Sequence, residues 1–256
     1  MTQTERLYFL IDDLIKERYA DMEIPSDISG QKMLLRSLMN VRAPKAISKE
    51  FVKIQDAYLQ TEIADKGITD INTLVPIRDK LCLWQGDITT LKCGAIVNAA
   101  NSAMLGCFVP CHGCIDNAIH TYAGVQLRLE CADIMMKQGH EEAAGQAKMT
   151  KAYNLPCDYI LHTVGPIVHG RLTGNDCKLL KSCYMECLKK AEENGIKSIA
   201  FCCISTGEFH FPNKEAAQIA VGTVTEYLKK SEIERVVFNV FKDKDREIYA
   251  KLLGSY

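Results

Sequence analysis

The feature that most constrains this chain is a change in the period of its apolar residues near residue 75. From Leu7 to about Lys66 they recur at helical spacing: Leu7, Leu10, Leu14 and Ile15; then Met33, Leu34, Leu38 and Met39; then Phe51, Ile54, Tyr58 and Ile63. Three amphipathic helices follow from that spacing. Pro25 and Pro44 separate them, Ser48 is placed to cap the third, and Gly67 stands where a left-handed C-terminal residue belongs. Beyond residue 75, short β-branched or apolar runs alternate with helical stretches, the pattern of an α/β domain. Strands are predicted at Leu81–Trp84, Ala95–Asn98, Tyr159–Val164, Ser198–Ile204 and Val236–Phe241, with weaker pairing near Ala147–Tyr153. Helices are predicted at about 115–137, 174–194, 213–230 and 243–253, the last opening on Asp243 and Asp245 at its positive end. The chain therefore reads as a helical extension, 1–74, followed by an α/β domain, 75–256.

Composition excludes several classes. At 256 residues the chain buries a sizeable core without covalent staples, roughly 70–75% of its unfolded surface. Thirty-one Lys and Arg against 32 Asp and Glu give a net charge of −1, with no overall pull toward nucleic acid or anionic lipid. An anionic ligand must be held by local geometry. No apolar run is long enough to span a membrane, and Glu5, Arg6, Asp12 and Asp13 interrupt any signal-peptide core, so a cytoplasmic protein is expected. The 12 Cys are spread from Cys82 to Cys203 and suit reduced thiols or a metal better than a disulfide framework. Neither a Walker motif nor GxGxxG is present. The extension carries no Cys or His; its expected role is a helical layer packed on the remainder, the alternative being a docking face for a partner.

Three loops concentrate polar chemistry. The first, Val97-Asn98-Ala99-Ala100-Asn101-Ser102, puts two amides at a strand's C-terminal end, where open α/β sheets receive ligands. The same asparagines could instead serve a turn. The second runs from Gly106 to His120. Cys107, His112 and Cys114 could surround one metal ion, with Cys111 as a competitor, and a three-ligand site leaves a position open for water or substrate. Asp116 falls in the first turn of the following helix, where the macrodipole alone would favour a carboxylate. The third, Ile204-Ser205-Thr206-Gly207-Glu208-Phe209-His210-Phe211-Pro212, joins a strand to a helix; its backbone amides could converge on phosphate, although ordinary turns use the same residues.

Other conspicuous residues read as structural. His162 is expected to be a buried, hydrogen-bonded strand histidine. Adjacent Cys202 and Cys203 are expected on opposite faces of a strand, and Cys183 and Cys187, with Cys177, in a helix core. Lys242–Arg246 reads as a solvated helix start. His120, one turn beyond Asp116, either orients it or packs against the sheet.

Read together, Gly86-Asp87-Ile88-Thr89, Ala95-Ile96-Val97-Asn98-Ala99-Ala100-Asn101-Ser102, Ile115-Asp116-Asn117-Ala118-Ile119-His120, His162-Thr163-Val164-Gly165-Pro166 and Ile204-Ser205-Thr206-Gly207 resemble the macrodomain family in order and spacing over about residues 75–256. The resemblance implies a mixed central sheet with helices on both faces, and binding of ADP-ribose. Where most members carry a glycine run, this chain has Gly106-Cys107-Phe108-Val109-Pro110-Cys111-His112-Gly113-Cys114, which resembles the zinc-dependent microbial branch with its helical N-terminal extension. That branch implies one Zn2+ held by Cys107, His112 and Cys114. It also implies reversal of protein mono-ADP-ribosylation by a sirtuin-type transferase acting on a lipoyl-carrier protein.

By the same resemblance, Asp87 accepts from the adenine amino group, Ile88 lies beside it and Phe241 covers the ring. Ser205, Thr206, Gly207, Glu208 and Phe209 cradle the diphosphate opposite Cys114, Ile115, Asp116 and Asn117 at a helix N-terminus. Asn98, Asn101 and Asp116 face the distal ribose, with Asn101 and Asp116 positioning attack at the linkage while zinc orients the ribose or a water. A hydrolase is therefore expected; the alternatives are a non-catalytic ADP-ribose reader and a zinc-stabilised interaction protein, the last requiring a fourth ligand such as Cys111.

Overall fold

Ser48 starts a helix as its position predicts, its hydroxyl accepting from the Phe51 amide at 3.0 Å. In the computed structural model, which describes residues 1–18 and 21–254, the extension forms α1 (Gln3–Arg18), α2 (Ile28–Val41) and α3 (Lys49–Lys66). Asp27 caps α2 by accepting from the Gly30 amide at 2.8 Å. The apolar stripes of the three helices meet in one buried cluster built on Leu7, Leu10, Leu14, Leu38, Phe51 and Leu59, which also takes in Val125 from the following region. Ile63 and Ile71 belong in turn to the main core. Hydrophobic packing thus crosses the seam in both directions. Gly67 has φ 88 and ψ 124, a positive φ outside the expected left-handed helical region, and its amide returns to Ala64.

The strands are β1 (Thr69–Asp70), β2 (Leu81–Gln85), β3 (Leu91–Lys92), β4 (Ala95–Ala100), β5 (Ala147–Lys151), β6 (Tyr159–Val164), β7 (Ser198–Phe201) and β8 (Arg235–Val240). β1 and β3 make a short parallel pair beside the main sheet, whose order is β2-β8-β7-β4-β6-β5. All its neighbours are parallel except β5, antiparallel to β6 at the edge. The helices α4 (Ile115–Ala123), α5 (Val125–Gln138), α6 (Gly174–Glu193), α7 (Asn213–Leu228) and α8 (Asp243–Leu253) flank the sheet. The mixed α/β architecture is the expected one. Central strands are buried almost throughout, as parallel strands covered by helices must be. From β4 the chain moves to one side of the sheet through β5 and β6, then returns to the other side at β7. The C-terminal ends of β4 and β7 therefore flank a topological switch, the position at which open α/β sheets receive ligands.

Several elements differ from expectation. The helix predicted over 115–137 is two helices, broken at Gly124 with φ 97; a Cβ there would lie 2.5 Å from the Gln55 amide nitrogen of α3. The strand predicted to Ile204 ends at Phe201, so Cys202 and Cys203 lie beyond it rather than on its two faces, one buried and one half-buried. β8 ends at Val240 and leaves Phe241 outside. Cys183 and Cys187 are fully buried on α6, as expected. His162 is buried between Asn98 and Thr150, with its Nδ1 3.1 Å from Asn98 Nδ2 and its Nε2 2.8 Å from Thr150 Oγ1. The 242–246 charge cluster is not wholly solvated, because Asp245 is buried and accepts from Asn213 at 2.7 Å, tying α8 to α7. Among the described residues no helix is long and apolar enough to cross a membrane.

Candidate active site

The end of β4 and the first turn of α4 converge on Asp116. Asn98 Nδ2 donates to Asp116 Oδ1 at 2.8 Å, and Asn101 Nδ2 donates to Asp116 Oδ2 at 3.4 Å and to the Gly106 carbonyl at 3.1 Å. Asn98 is fully buried behind the carboxylate, whereas Asn101 is half-buried at the mouth of the group. Asn98 is therefore shut off from solvent behind Asp116. Burial pushes the Asp116 carboxyl up to about 6, against the Asn98 hydrogen bond and the Arg128 charge, which pull it down. His120 Nε2 lies 3.5 Å from Asp116 Oδ1, but neither ring nitrogen has a hydrogen-bond partner among the described residues. Burial, with His162 and Arg128 nearby, drives His120 well below the usual histidine range, so it is neutral. A cavity of about 10 Å³ beside it, between Met39 and Arg128, matches one water.

Cys107, His112 and Cys114 come together with their ligand atoms all within 4.8 Å of one another. Cys107 Sγ is 3.6 Å from His112 Nδ1, and Cys114 Sγ caps α4 by accepting from the Asn117 amide at 3.4 Å. Two thiols and an imidazole, half-buried and with one sulfur at a positive helix end, fit a borderline-soft divalent ion. Cys111 turns elsewhere: its Sγ is 3.2 Å from Ser37 Oγ and 3.4 Å from the Met33 carbonyl, both on α2. The donor set therefore has three members.

The loop after β7 faces this cluster. His112 Nε2 lies 3.8 Å from Glu208 Oε1, so the second and third loops approach each other. Ser205 has φ 64, and its carbonyl accepts from Phe211 at 2.9 Å while Gly207 accepts from His210 at 3.0 Å, closing a tight turn. Among the described residues the amides of Gly207, Glu208 and Phe209 have no acceptor in the protein, which leaves three consecutive donors that could serve an anion. Gly165 permits it: a Cβ there would lie 1.9 Å from Ser205 Oγ. Farther along the same sheet edge, Asp87 follows β2 and Phe241 follows β8. Asp87 Oδ1 accepts from the Thr89 amide at 3.0 Å and hydroxyl at 2.6 Å, and Oδ2 from Lys66 at 2.9 Å. Burial acts to raise this carboxyl, but these bonds and the Lys66 charge outweigh it and hold it below the usual range. Ile88 is buried, and Phe241 is 76% exposed.

Sequence reasoning missed the contribution of α2 and α3. Arg36 donates to Asn117 and to the His112 carbonyl, and Asn40 accepts from the Cys111 amide. Lys66 pairs with Asp87 and stands 3.4 Å over the Tyr122 ring. Arg128, pushed down to about 10 by burial, donates to the Leu105, Met39, Asn40 and Arg42 carbonyls. The available signal was Asn40 set directly after the apolar pair Leu38 and Met39, with Arg36 one turn before it.

Fold and site together define a doubly wound α/β domain whose candidate site gathers at the C-terminal ends of the parallel strands. The chain belongs to the macrodomain family: the family model described as Macro domain matches residues 97–220, and two full-length relatives extend the match. A Protein-ADP-ribose hydrolase from Treponema medium is 57% identical over 261 residues, covering 99% of this chain and 100% of its own. One from Staphylococcus aureus (strain Mu50) is 49% identical over 255 residues, covering 97% and 95%. The crystal structure of the Trypanosoma brucei macrodomain in complex with ADP-ribose is similar with a TM-score of 0.67 and 29% identity, over 91% of this chain and 97% of that one.

Proposed function

We propose that this protein is a zinc-dependent protein-ADP-ribose hydrolase that removes mono-ADP-ribose from modified proteins. The observation that carries the reading is the order of features along one sheet edge. Asp87 and Ile88 follow β2, Phe241 follows β8, the 205–209 turn follows β7, and Asn98 and Asn101 close β4. Since β2, β8, β7 and β4 are successive neighbours, this sequence matches adenine, diphosphate and distal ribose laid end to end. In the proposal Asp87 accepts from the adenine amino group while Lys66 fixes its other oxygen, and Phe241 closes over the ring. The Ser205–Phe209 turn holds the diphosphate, chiefly through the amides of Gly207, Glu208 and Phe209, opposite Ile115 at the N-terminus of α4, beside Cys114 and Asn117.

Catalysis falls to Asp116 and Asn101, with Asn98 behind them as a brace. They position a water at the linkage between the distal ribose and the modified side chain; hydrolysis adds its hydroxyl to the ribose carbon and its proton to the released residue. Cys107, His112 and Cys114 would hold the zinc, which when bound supplies Lewis acidity next to that ribose. The turn of Cys111 toward α2 supports a three-ligand set open on one side, as catalytic zinc requires. Residues 1–74 form the helical extension and 75–256 the macrodomain. The resemblance to the zinc branch carries the remaining assignment: a lipoyl-carrier protein modified by a sirtuin-type transferase as substrate.

The test is release of ADP-ribose from a mono-ADP-ribosylated acceptor, with metal content measured on the same sample before and after chelation. Release at one zinc per chain, lost on chelation and restored by zinc, is the expected result. Tight ADP-ribose binding without release across several acceptor linkages would make the protein a reader instead.

A further inference from the structure

We infer that α2 of the N-terminal layer is a working part of the metal centre, with Arg36 and Asn40 as positioning residues that fix the Cys107–Cys114 loop in its ligand geometry. The inference rests on the metal-site reading above and adds to it the residues that make the site. Across Cys107–Gly113 the main chain has a single backbone–backbone hydrogen bond among the described residues, from His112 to Val109 at 3.2 Å. Cys111 also holds a φ of 52, a conformation that a non-glycine residue keeps only under external constraint. Such a segment does not hold its own shape.

Polar side chains supply the constraint. The Arg36 guanidinium donates from Nη2 to the His112 carbonyl at 2.9 Å, and from Nε and Nη2 to Asn117 Oδ1 at 3.2 and 2.8 Å. Fully buried Asn117 then donates from Nδ2 to the Val109 carbonyl at 3.0 Å and the Cys107 carbonyl at 3.5 Å. Asn40, also buried, accepts from the Cys111 amide at 2.9 Å and donates to Thr121 Oγ1, which donates to the Asn117 carbonyl. The carbonyls of two metal-ligand residues, Cys107 and His112, are thereby tied to one fork on α2. A planar guanidinium bridges both acceptors; a lysine ammonium on a flexible stem is a single point and does not.

Zinc affinity of the full-length chain, read by competition with a chromophoric chelator, tests this without reference to turnover. Arg36→Ala and Asn40→Ala are expected to weaken zinc by about 10–100-fold, as loss of partners behind metal ligands generally does. Arg36→Lys should recover little of the loss, and it takes the place of Arg36→Ala should that variant not fold. Leu10→Ala, which loosens the helical layer away from the loop, should lower the melting temperature yet leave zinc affinity within threefold. Affinity of both Arg36 variants within threefold of wild type would overturn the inference, as would an equal loss in Leu10→Ala. Cys107→Ser separates the two levels: if the wild-type chain binds no zinc, or Cys107→Ser binds it as well, the metal-centre reading itself fails.

Discussion

Gly106 is constrained twice. Its φ is 81, where a side chain is strained, and a Cβ would lie 2.7 Å from the His120 ring. Gly106→Ala is therefore expected to cost about 2–4 kcal/mol, backbone strain and overpacking together, read as a shift in the urea midpoint. A loss under 0.5 kcal/mol would show that the ring moves aside freely. Asp116 is the residue on which turnover should depend. Asp116→Ala should lower the rate of ADP-ribose release by about 10²–10⁴-fold while changing ADP-ribose affinity less than tenfold, and single-turnover assays with calorimetry separate the two. Much of this group was legible because its members lie within single short motifs: Asn98, Asn101 and Asp116 were read together and meet through direct hydrogen bonds. The depth of Asn98 was not legible. It depends on the register that sets Asn98 opposite His162 in β6, a pairing 64 residues apart in sequence.

Helices whose ends are set by local chemistry were the easiest to place. Ser48 begins α3, and α8 runs over Asp243–Leu253 as its pattern predicts. Ser48→Ala should lower stability by about 1 kcal/mol without altering ADP-ribose affinity, measured by denaturant titration and calorimetry on the same preparation. An equal fall in both would mean that the start of α3 is coupled to the crevice. The misread elements share a cause, since in each the apolar pattern runs on past the point where the helix or strand stops. Ile119, Ala123, Leu127 and Cys131 keep the helical spacing across Gly124, but Gly124 holds φ 97 and the Val125 amide donates to the Gln55 side chain of α3 at 3.0 Å instead of back into α4. Beyond β7, Cys202 and Ile204 are still buried, so hydrophobicity continues after strand pairing has stopped.

At the scale of the whole molecule, two neutral histidines lie in the core beneath the crevice. His162 is pushed down by burial to about 3 from an ordinary value of 6.5, so the unfolded chain takes up a proton that the folded chain refuses. The associated stability is fully present above pH 6.5 and is lost as pH falls toward 3. By pH 5 the loss from His162 is about 2 kcal/mol. Urea midpoints at pH 7 and pH 5 should show a larger loss of stability in the wild-type chain than in His162→Gln, with His120 and Asp116 contributing to both; equal losses would remove His162 as a cause. The contribution of the N-terminal layer to the site is also a whole-molecule property. Arg36 and Asn40 reach Asn117 and Cys111 across 81 and 71 residues, and no local pattern encodes that meeting. The cysteines give this architecture its own reporters. All twelve are free; seven are buried across the main core, while Cys107, Cys111 and Cys114 are half-buried in the one loop that polar side chains hold. Brief exposure to an alkylating reagent with mass detection would therefore read two opening events from one spectrum: local release of the loop and global unfolding of the core, each with its own rate.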